Sequence, residues 1–368
     1  MFKHIFFAIF LVLIGNKYNA QCEDITLASI TNPGPYSVST LKEGIDEIRN
    51  GPDYDGATIY YPDNGVPPYS GIAIIPGYCG VELDIQDWGP FYASHGIIAI
   101  TLGTNNPCAD WPASRALALL DAIETVKSEN TRDASPLNGK VDINSFAVSG
   151  WSMGGGGAQL AASIDPSLKA IVGLCPWLDL NGFEDSDLIH DVPVLIFTGQ
   201  NDNIANSAEY GYMHYQTTPS TTEKLFFEMS NSGHDAANSP DMSSGEVGIY
   251  ALSWLKTYLL EDPCYCGFLL ENPLNASAYE TNIECELLAL TGNTNEELML
   301  LYPNPSDKYI TISLEDLQRV SYAIFNKAGK CAKSGFVSQQ SNQIHIDDLV
   351  NGTYILKAGD QVYQFMKY

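Results

Sequence analysis

The segment Phe146-Ala147-Val148-Ser149-Gly150-Trp151-Ser152-Met153-Gly154 constrains this chain more than any other. Residues suited to a buried strand run into Gly-x-Ser-x-Gly, and Gly155, Gly156 and Gly157 then open a helical pattern reaching Ile164. A serine on so sharp a strand-to-helix turn has a strained backbone, so its neighbours must lack bulk and its hydroxyl stands exposed above the sheet. The five-residue match alone is a weak signal that a chance glycine-rich turn could produce. The strand before it and the helix after it make a nucleophile elbow the stronger reading.

The surrounding sequence supplies a matching sheet. Apolar, β-branched runs at Ile72 to Pro76, Ile97 to Leu102, Phe146 to Ser149, Ala170 to Leu174, Val192 to Phe197 and Leu225 to Met229 read as buried parallel strands. Helical patterns fall at Ala113 to Glu129, Gly154 to Ile164 and Glu246 to Leu260, with Pro112 well placed at a helix start. Residues 21–290 are therefore expected to form one α/β domain, a mostly parallel doubly wound sheet of α/β-hydrolase type. Past Cys285 a polar bridge, Thr291 to Glu296, leads into strand patterns at Tyr309 to Ser313, Val320 to Phe325, Ile344 to Ile346, Tyr354 to Lys357 and Val362 to Lys367. A linker over 291–300 and a small β-sandwich over 301–368 are expected.

A serine hydroxyl becomes a useful nucleophile only when a histidine takes its proton and a carboxylate fixes that histidine. In an elbow sheet these partners follow the serine in the order acid, then histidine. Asp202 follows the strand ending at Phe197 through Thr198-Gly199-Gln200-Asn201, whereas Asp191 precedes that strand and falls at the wrong end of the sheet. Asp179 and Asp241 stay open as alternatives, although neither follows a strand terminus. His234 follows the strand Leu225 to Met229 through Ser230-Asn231-Ser232-Gly233 and is the expected base. His95 and His190 precede strands, His214 comes too early in a helical stretch, His4 falls in the leader and His345 in the C-terminal segment. Donors for a tetrahedral oxyanion are expected from the backbone N–H of Met153 and, after the strand Gly71 to Pro76, from Tyr78 in Gly77-Tyr78-Cys79-Gly80. The Tyr78 ring would line the acyl pocket, although a plain Gly-Tyr turn would read the same way.

Charge and the N-terminus narrow the setting. Eighteen Lys and Arg against 44 Asp and Glu give a formal charge of −26, which excludes phosphate-backbone binding and repels anionic surfaces. Lys3 and His4 precede the apolar run Ile5 to Ile14 and then Tyr18-Asn19-Ala20, the pattern of a secretory signal peptide over residues 1–20. That run is well short of the ~20 residues a membrane span requires. Asn19-Ala20-Gln21-Cys22 lacks the small apolar residues of a lipid-attachment site. In an exported chain Cys22, Cys79, Cys108, Cys264, Cys266 and Cys285, all in turn-like contexts, can form bridges. Cys175 lies in an apolar strand and Cys331 in the C-terminal segment, and both are expected free. No cysteine or histidine spacing suits zinc, so neither metal nor cofactor is expected.

Two resemblances build on these residues. Pro76-Gly77-Tyr78, Trp88-Gly89-Pro90, Gly150-Trp151-Ser152-Met153-Gly154-Gly155-Gly156, Pro176-Trp177, Asn201-Asp202-Asn203-Ile204-Ala205 and Glu271-Asn272-Pro273 resemble bacterial cutinases and poly(ethylene terephthalate) hydrolases, over about residues 25–286. The resemblance implies a Ser152, Asp202 and His234 triad, an oxyanion hole at Tyr78 and Met153, and an aromatic clamp of Trp177 and Tyr78 flanked by Ile204. It also implies that Trp151 lines the cleft, as in the aromatic-polyester specialists. There are departures: Asp235 puts a carboxylate after the histidine, Tyr210 stands beside the clamp tryptophan, and Gly199 and Ala236 replace a second disulfide or calcium-binding carboxylates. The relatives' terminal cysteine is Leu270 here, so Cys264 or Cys266 is expected to pair with Cys285; Cys79 and Cys108 fall in loops that line the cleft in relatives. The stretch from Tyr302-Pro303-Asn304-Pro305 through Leu349-Val350-Asn351-Gly352-Thr353-Tyr354 to Phe365-Met366-Lys367 resembles the C-terminal sorting domain of the Bacteroidota type IX secretion system.

Together these readings imply a secreted, monomeric serine carboxylester hydrolase acting on polyesters and short-chain esters, delivered by the type IX machinery to the medium or the cell surface. The competing enzyme reading is a small-molecule esterase of the dienelactone-hydrolase or acetylhydrolase type. A surface adhesion module built on an inactive hydrolase scaffold is a third, which the intact Ser152, Asp202 and His234 oppose.

Overall fold

The computed structural model of the protein describes residues 25, 29–30, 33–178, 188–285, 301–312, 320–326, 330–338, 342–358 and 361–368. The expected signal peptide, Cys22, the alternative Asp179 and the expected linker lie outside them. Chain contacts divide the molecule into two compact units, Met1–Leu287 and Leu288–Tyr368.

The first unit is built on nine strands: β1 (Val38–Lys42), β2 (Ala57–Pro62), β3 (Tyr69–Ile75), β4 (Ile98–Leu102), β5 (Val141–Trp151), β6 (Ala170–Leu174), β7 (Val194–Gly199), β8 (Lys224–Met229) and β9 (Ala276–Thr281). They lie in the order β1-β2-β4-β3-β5-β6-β7-β8-β9. Strands β4, β3, β5, β6, β7 and β8 pair in parallel; the joins β1 to β2, β2 to β4 and β8 to β9 are antiparallel. Among the described residues five α-helices connect them: α1 (Trp88–Ser94), α2 (Pro112–Glu129), α3 (Met153–Ile164), α4 (Gly211–Thr217) and α5 (Glu246–Tyr258).

Adjacent residues of the central strands serve opposite faces, which explains their unbroken apolar runs. Val148, Ile196 and Phe226 pack on one side with Leu119, Ile123, Val126, Ala158 and Ala161 of α2 and α3. Ala147, Leu195 and Phe227 pack on the other with Trp88 and Tyr92 of α1 and Leu252, Trp254 and Leu255 of α5. With helices on both faces of a mostly parallel sheet and a serine at the β5–α3 turn, the unit has the α/β-hydrolase fold.

The six apolar runs and three helical patterns read from the sequence all form, with boundaries shifted by a few residues at most beyond the earlier start of β5. Strands β1, β2 and β9 and helix α1 escaped that reading. β1 and β9 are partly exposed edge strands, and α1 carries Gly89-Pro90, which reads as a turn. Gly89 is needed there because a Cβ would lie 2.3 Å from the Tyr60 ring.

The second unit contains two antiparallel sheets: β10 (Leu301–Tyr302), β11 (Tyr309–Ile312) and β14 (Gln343–His345), and β13 (Cys331–Val337), β12 (Val320–Asn326), β15 (Gly352–Ala358) and β16 (Gln361–Lys367). Ile310, Ile312 and Ile344 share one core with Ile324, Leu356 and Phe365 from the other sheet. No helix among the described residues is long and apolar enough to cross a membrane.

Candidate active site

Ser152 caps α3 with φ 56° and ψ −121°, a conformation that costs energy and persists only when its surroundings enforce it. Its N–H donates to the Leu174 carbonyl at 2.8 Å, while its own carbonyl accepts from the N–H groups of Trp177 at 2.8 Å and Gly155 at 2.9 Å. Gly154 is obligatory, since a Cβ would sit 2.5 Å from the Ile75 carbonyl oxygen. Close passage of the elbow against the end of β3 is what requires it.

Three loops at the carboxyl ends of β5, β7 and β8 meet here. His234 Nε2 lies 2.8 Å from Ser152 Oγ, and His234 Nδ1 lies 2.7 Å from Asp202 Oδ2. Asp202 is buried, and its Oδ1 accepts from the N–H groups of Ile204 and Ala205, both at 2.8 Å. One carboxylate oxygen is thus fixed by its own turn and the other faces the imidazole. Of the other candidates, Asp191 precedes β7, the open alternative Asp241 precedes the turn before α5, and His345 belongs to the second unit. His214 is fully buried beside Gln159, and burial lowers its pKa to about 3.

The histidine loop has supports that sequence reasoning did not identify. Asn201 N–H donates to the Ser232 carbonyl at 2.8 Å, and Gln200 Oε1 accepts from Asn231 N–H at 2.9 Å. A Cβ on Gly199 would lie 2.2 Å from the Gly233 carbonyl oxygen, so glycine lets β7 touch this loop. Trp151 donates its indole N–H to the His234 carbonyl at 2.9 Å, and the two rings lie 5.3 Å apart.

On the other side of the serine, a Cβ on Gly77 would lie 2.9 Å from Ser152 Cβ, which brings the Gly77-Tyr78 peptide against the elbow. Cys79 forms a disulfide with Cys108, and its N–H donates to the Pro107 carbonyl at 2.6 Å. Met153, the first residue of α3, is buried next to Ser152. The rings of Trp177 and Tyr210 lie 6.0 Å apart, and Tyr78 and Ile204 are 59% and 65% exposed. Asp235 is exposed. Cys266 pairs with Cys285, Cys264 is also disulfide-bonded, and Cys175 is a buried free thiol. Among the described residues no group of acidic, histidine or cysteine side chains could hold a metal ion.

A serine at a strained elbow, bonded to a histidine that is itself bonded to a buried carboxylate, is the arrangement found in serine hydrolases of the α/β class. Comparison with known proteins narrows this further. Residues 16–286 match the family described as PET hydrolase-like, and residues 300–367 match the secretion system C-terminal sorting domain. The chain is 36% identical over 242 residues to cutinase est1 of Thermobifida alba, covering 65% of this chain and 76% of that protein. It is 36% identical over 241 residues to a cutinase of Thermobifida fusca, covering 65% and 75%. With a bis(hydroxyethyl) terephthalate hydrolase of Streptomyces coelicolor it shares 33% over 242 residues, covering 65% and 73%. The chain belongs to the PET hydrolase-like family of carboxylic ester hydrolases and carries a type IX sorting domain, which assigns it to the cell exterior or the cell surface.

Proposed function

We propose that this protein is a secreted polyester hydrolase that also cleaves short-chain esters, working through an acyl-enzyme on Ser152. The observation that carries the reading is the continuous hydrogen-bonded line Ser152 Oγ, His234, Asp202. His234 Nε2 takes the Ser152 proton as Oγ bonds to the ester carbonyl carbon. The carbonyl oxygen becomes an oxyanion received by the Tyr78 and Met153 N–H groups. The intermediate collapses, the C–O bond to the alcohol breaks, and His234 returns the proton to the departing alkoxide. Water then attacks the acyl carbon, passes a proton to His234, and Ser152 leaves with that proton as the carboxylic acid departs. Asp202 holds the imidazole with Nδ1 protonated and stabilises its charged form. No cofactor takes part.

The exposed Tyr78 and Ile204 and the half-buried Trp177 and Trp151 would bind the acid ring of an aromatic polyester. Polymer cleavage is supported by the family match and by the cutinase and terephthalate-ester hydrolase relatives. We assign residues 1–20 as signal peptide, 21–290 as catalytic domain, 291–300 as linker and 301–368 as the domain handed to the type IX machinery, with the protein acting as a monomer. Labelling with a diethyl phosphonate should add one adduct, located at Ser152 by mass spectrometry, and abolish turnover of a short-chain nitrophenyl ester. An active protein that takes up no label, or an adduct elsewhere, would overturn the assignment.

A further inference from the structure

Arg115, in the first turns of α2, is completely buried. It continues the apolar stripe of Leu119, Ala122 and Val126, where a hydrophobic side chain would satisfy packing. Burying a guanidinium is costly unless its charge and donors are met. Here both terminal nitrogens find carbonyls of two loops that flank the serine: one donates to Pro107 at 3.0 Å, the other to Pro76 at 3.4 Å. Among the described residues the carboxylate partnered with it is Asp110, 4.0 Å from Nε, and Nε has no hydrogen-bond partner. Burial draws the guanidinium below its usual pKa and Asp110 raises it, but an arginine stays charged in a protein.

Pro76 immediately precedes Gly77 and Tyr78, the peptide that lies against Ser152. Pro107 precedes Cys108, which is joined to Cys79 on the far side of Tyr78. The stem of the same side chain touches the nucleophile's helix, since a Cβ on Gly157 would lie 2.5 Å from Arg115 Cβ. One planar fork thereby ties together the oxyanion loop, the disulfide loop and α3. Lysine, a point charge on a flexible stem, cannot span both carbonyls with fixed geometry.

We propose that Arg115 is a positioning residue for the ester-cleavage reaction, fastening Pro76 and Pro107 so that the Tyr78 N–H is held where the tetrahedral oxygen forms. The inference rests on the proposed Ser152 mechanism and the Tyr78 oxyanion role. Preorganised donors act mainly in the transition state, and displacements near 1 Å matter there. Losing an oxyanion donor costs about 100- to 1,000-fold in kcat, so loosening one should cost about 10- to 100-fold.

The test compares the full-length protein with Arg115→Met and Arg115→Lys, using a soluble nitrophenyl ester, a boronic acid that forms a tetrahedral adduct on the serine, and circular dichroism to verify folding. In Arg115→Met kcat should fall about 10- to 100-fold with KM within about twofold. Boronate affinity should fall in step with kcat, and Arg115→Lys should lie between the other two. Unchanged kcat in a folded variant, or a kcat loss without weaker boronate binding, would overturn the proposal. If Arg115→Met does not fold, Arg115→Lys decides by the same two readings. Ser152→Ala run alongside separates the two failures: full activity there sinks the serine assignment, whereas an inactive Ser152→Ala beside unaltered Arg115 variants sinks only the role of Arg115.

Discussion

Trp151 holds His234 by its backbone: the residue just before the elbow serine donates its indole N–H to the His234 carbonyl at 2.9 Å. The loop carrying the imidazole is therefore tied to the strand that leads into Ser152. Trp151→Phe keeps an aromatic ring and removes that bond, worth about 1 kcal/mol. We expect kcat on a soluble ester to fall about fivefold, with KM little changed, in steady-state kinetics. An unchanged kcat would mean the bond does not position the histidine.

Asp202→Asn should leave the fold intact, because an amide oxygen can still accept from the Ile204 and Ala205 N–H groups. The wrong imidazole tautomer would then face Ser152, a change that costs about 10⁴-fold in kcat in comparable triads. Ester hydrolysis near neutral pH measures it, and a loss below about tenfold would place the orienting carboxylate elsewhere.

Acid should weaken the fold through His214. Its imidazole is fully buried, and its pKa is about 3 in the folded protein, against about 6.5 in an unfolded chain. Below pH 6.5 the unfolded state binds a proton that the folded state refuses, so stability falls as pH drops from about 6.5 towards 3. The slope contributed by one such group approaches 1.4 kcal/mol per pH unit. His190 is lowered in the same direction by burial. Urea unfolding at pH 7 and pH 5 should show a smaller loss for His214→Gln than for the parent; equal losses would contradict this.

Two of the disulfides should separate stability from catalysis. Cys266 and Cys285 close a short loop with a separation of 19, and Cys79 and Cys108 one with a separation of 29. Replacing either pair with serine should cost about 3 kcal/mol, visible as a lower melting temperature. Only the Cys79 and Cys108 replacement should also lower kcat, because that bridge flanks Tyr78. Equal kcat in both double variants would deny the loop its catalytic part.

The sequence disclosed the parts of the molecule that depend on local pattern. The elbow is legible because Gly150 and Gly154 are forced by contact, and the central strands because burial on both faces leaves no polar position to interrupt them. Asp202 and His234 follow from strand order. Partly exposed edges such as β9 carry no apolar run, and α1 hides behind Gly89-Pro90. Supports such as Gly199 and Gln200 are unreadable because they act between loops distant in sequence. Arg115 left one clue, a cation on the apolar stripe of α2, whose meaning depends on carbonyls that only the fold brings near.

Polyester hydrolysis is decided by exposing an amorphous poly(ethylene terephthalate) film to the protein, with Ser152→Ala beside it, and measuring the soluble aromatic acid released. The intact protein should release it, and Ser152→Ala should release none above background. No release from the film, with brisk turnover of a short-chain nitrophenyl ester in the same buffer, would contradict polyester hydrolysis and leave a small-ester hydrolase.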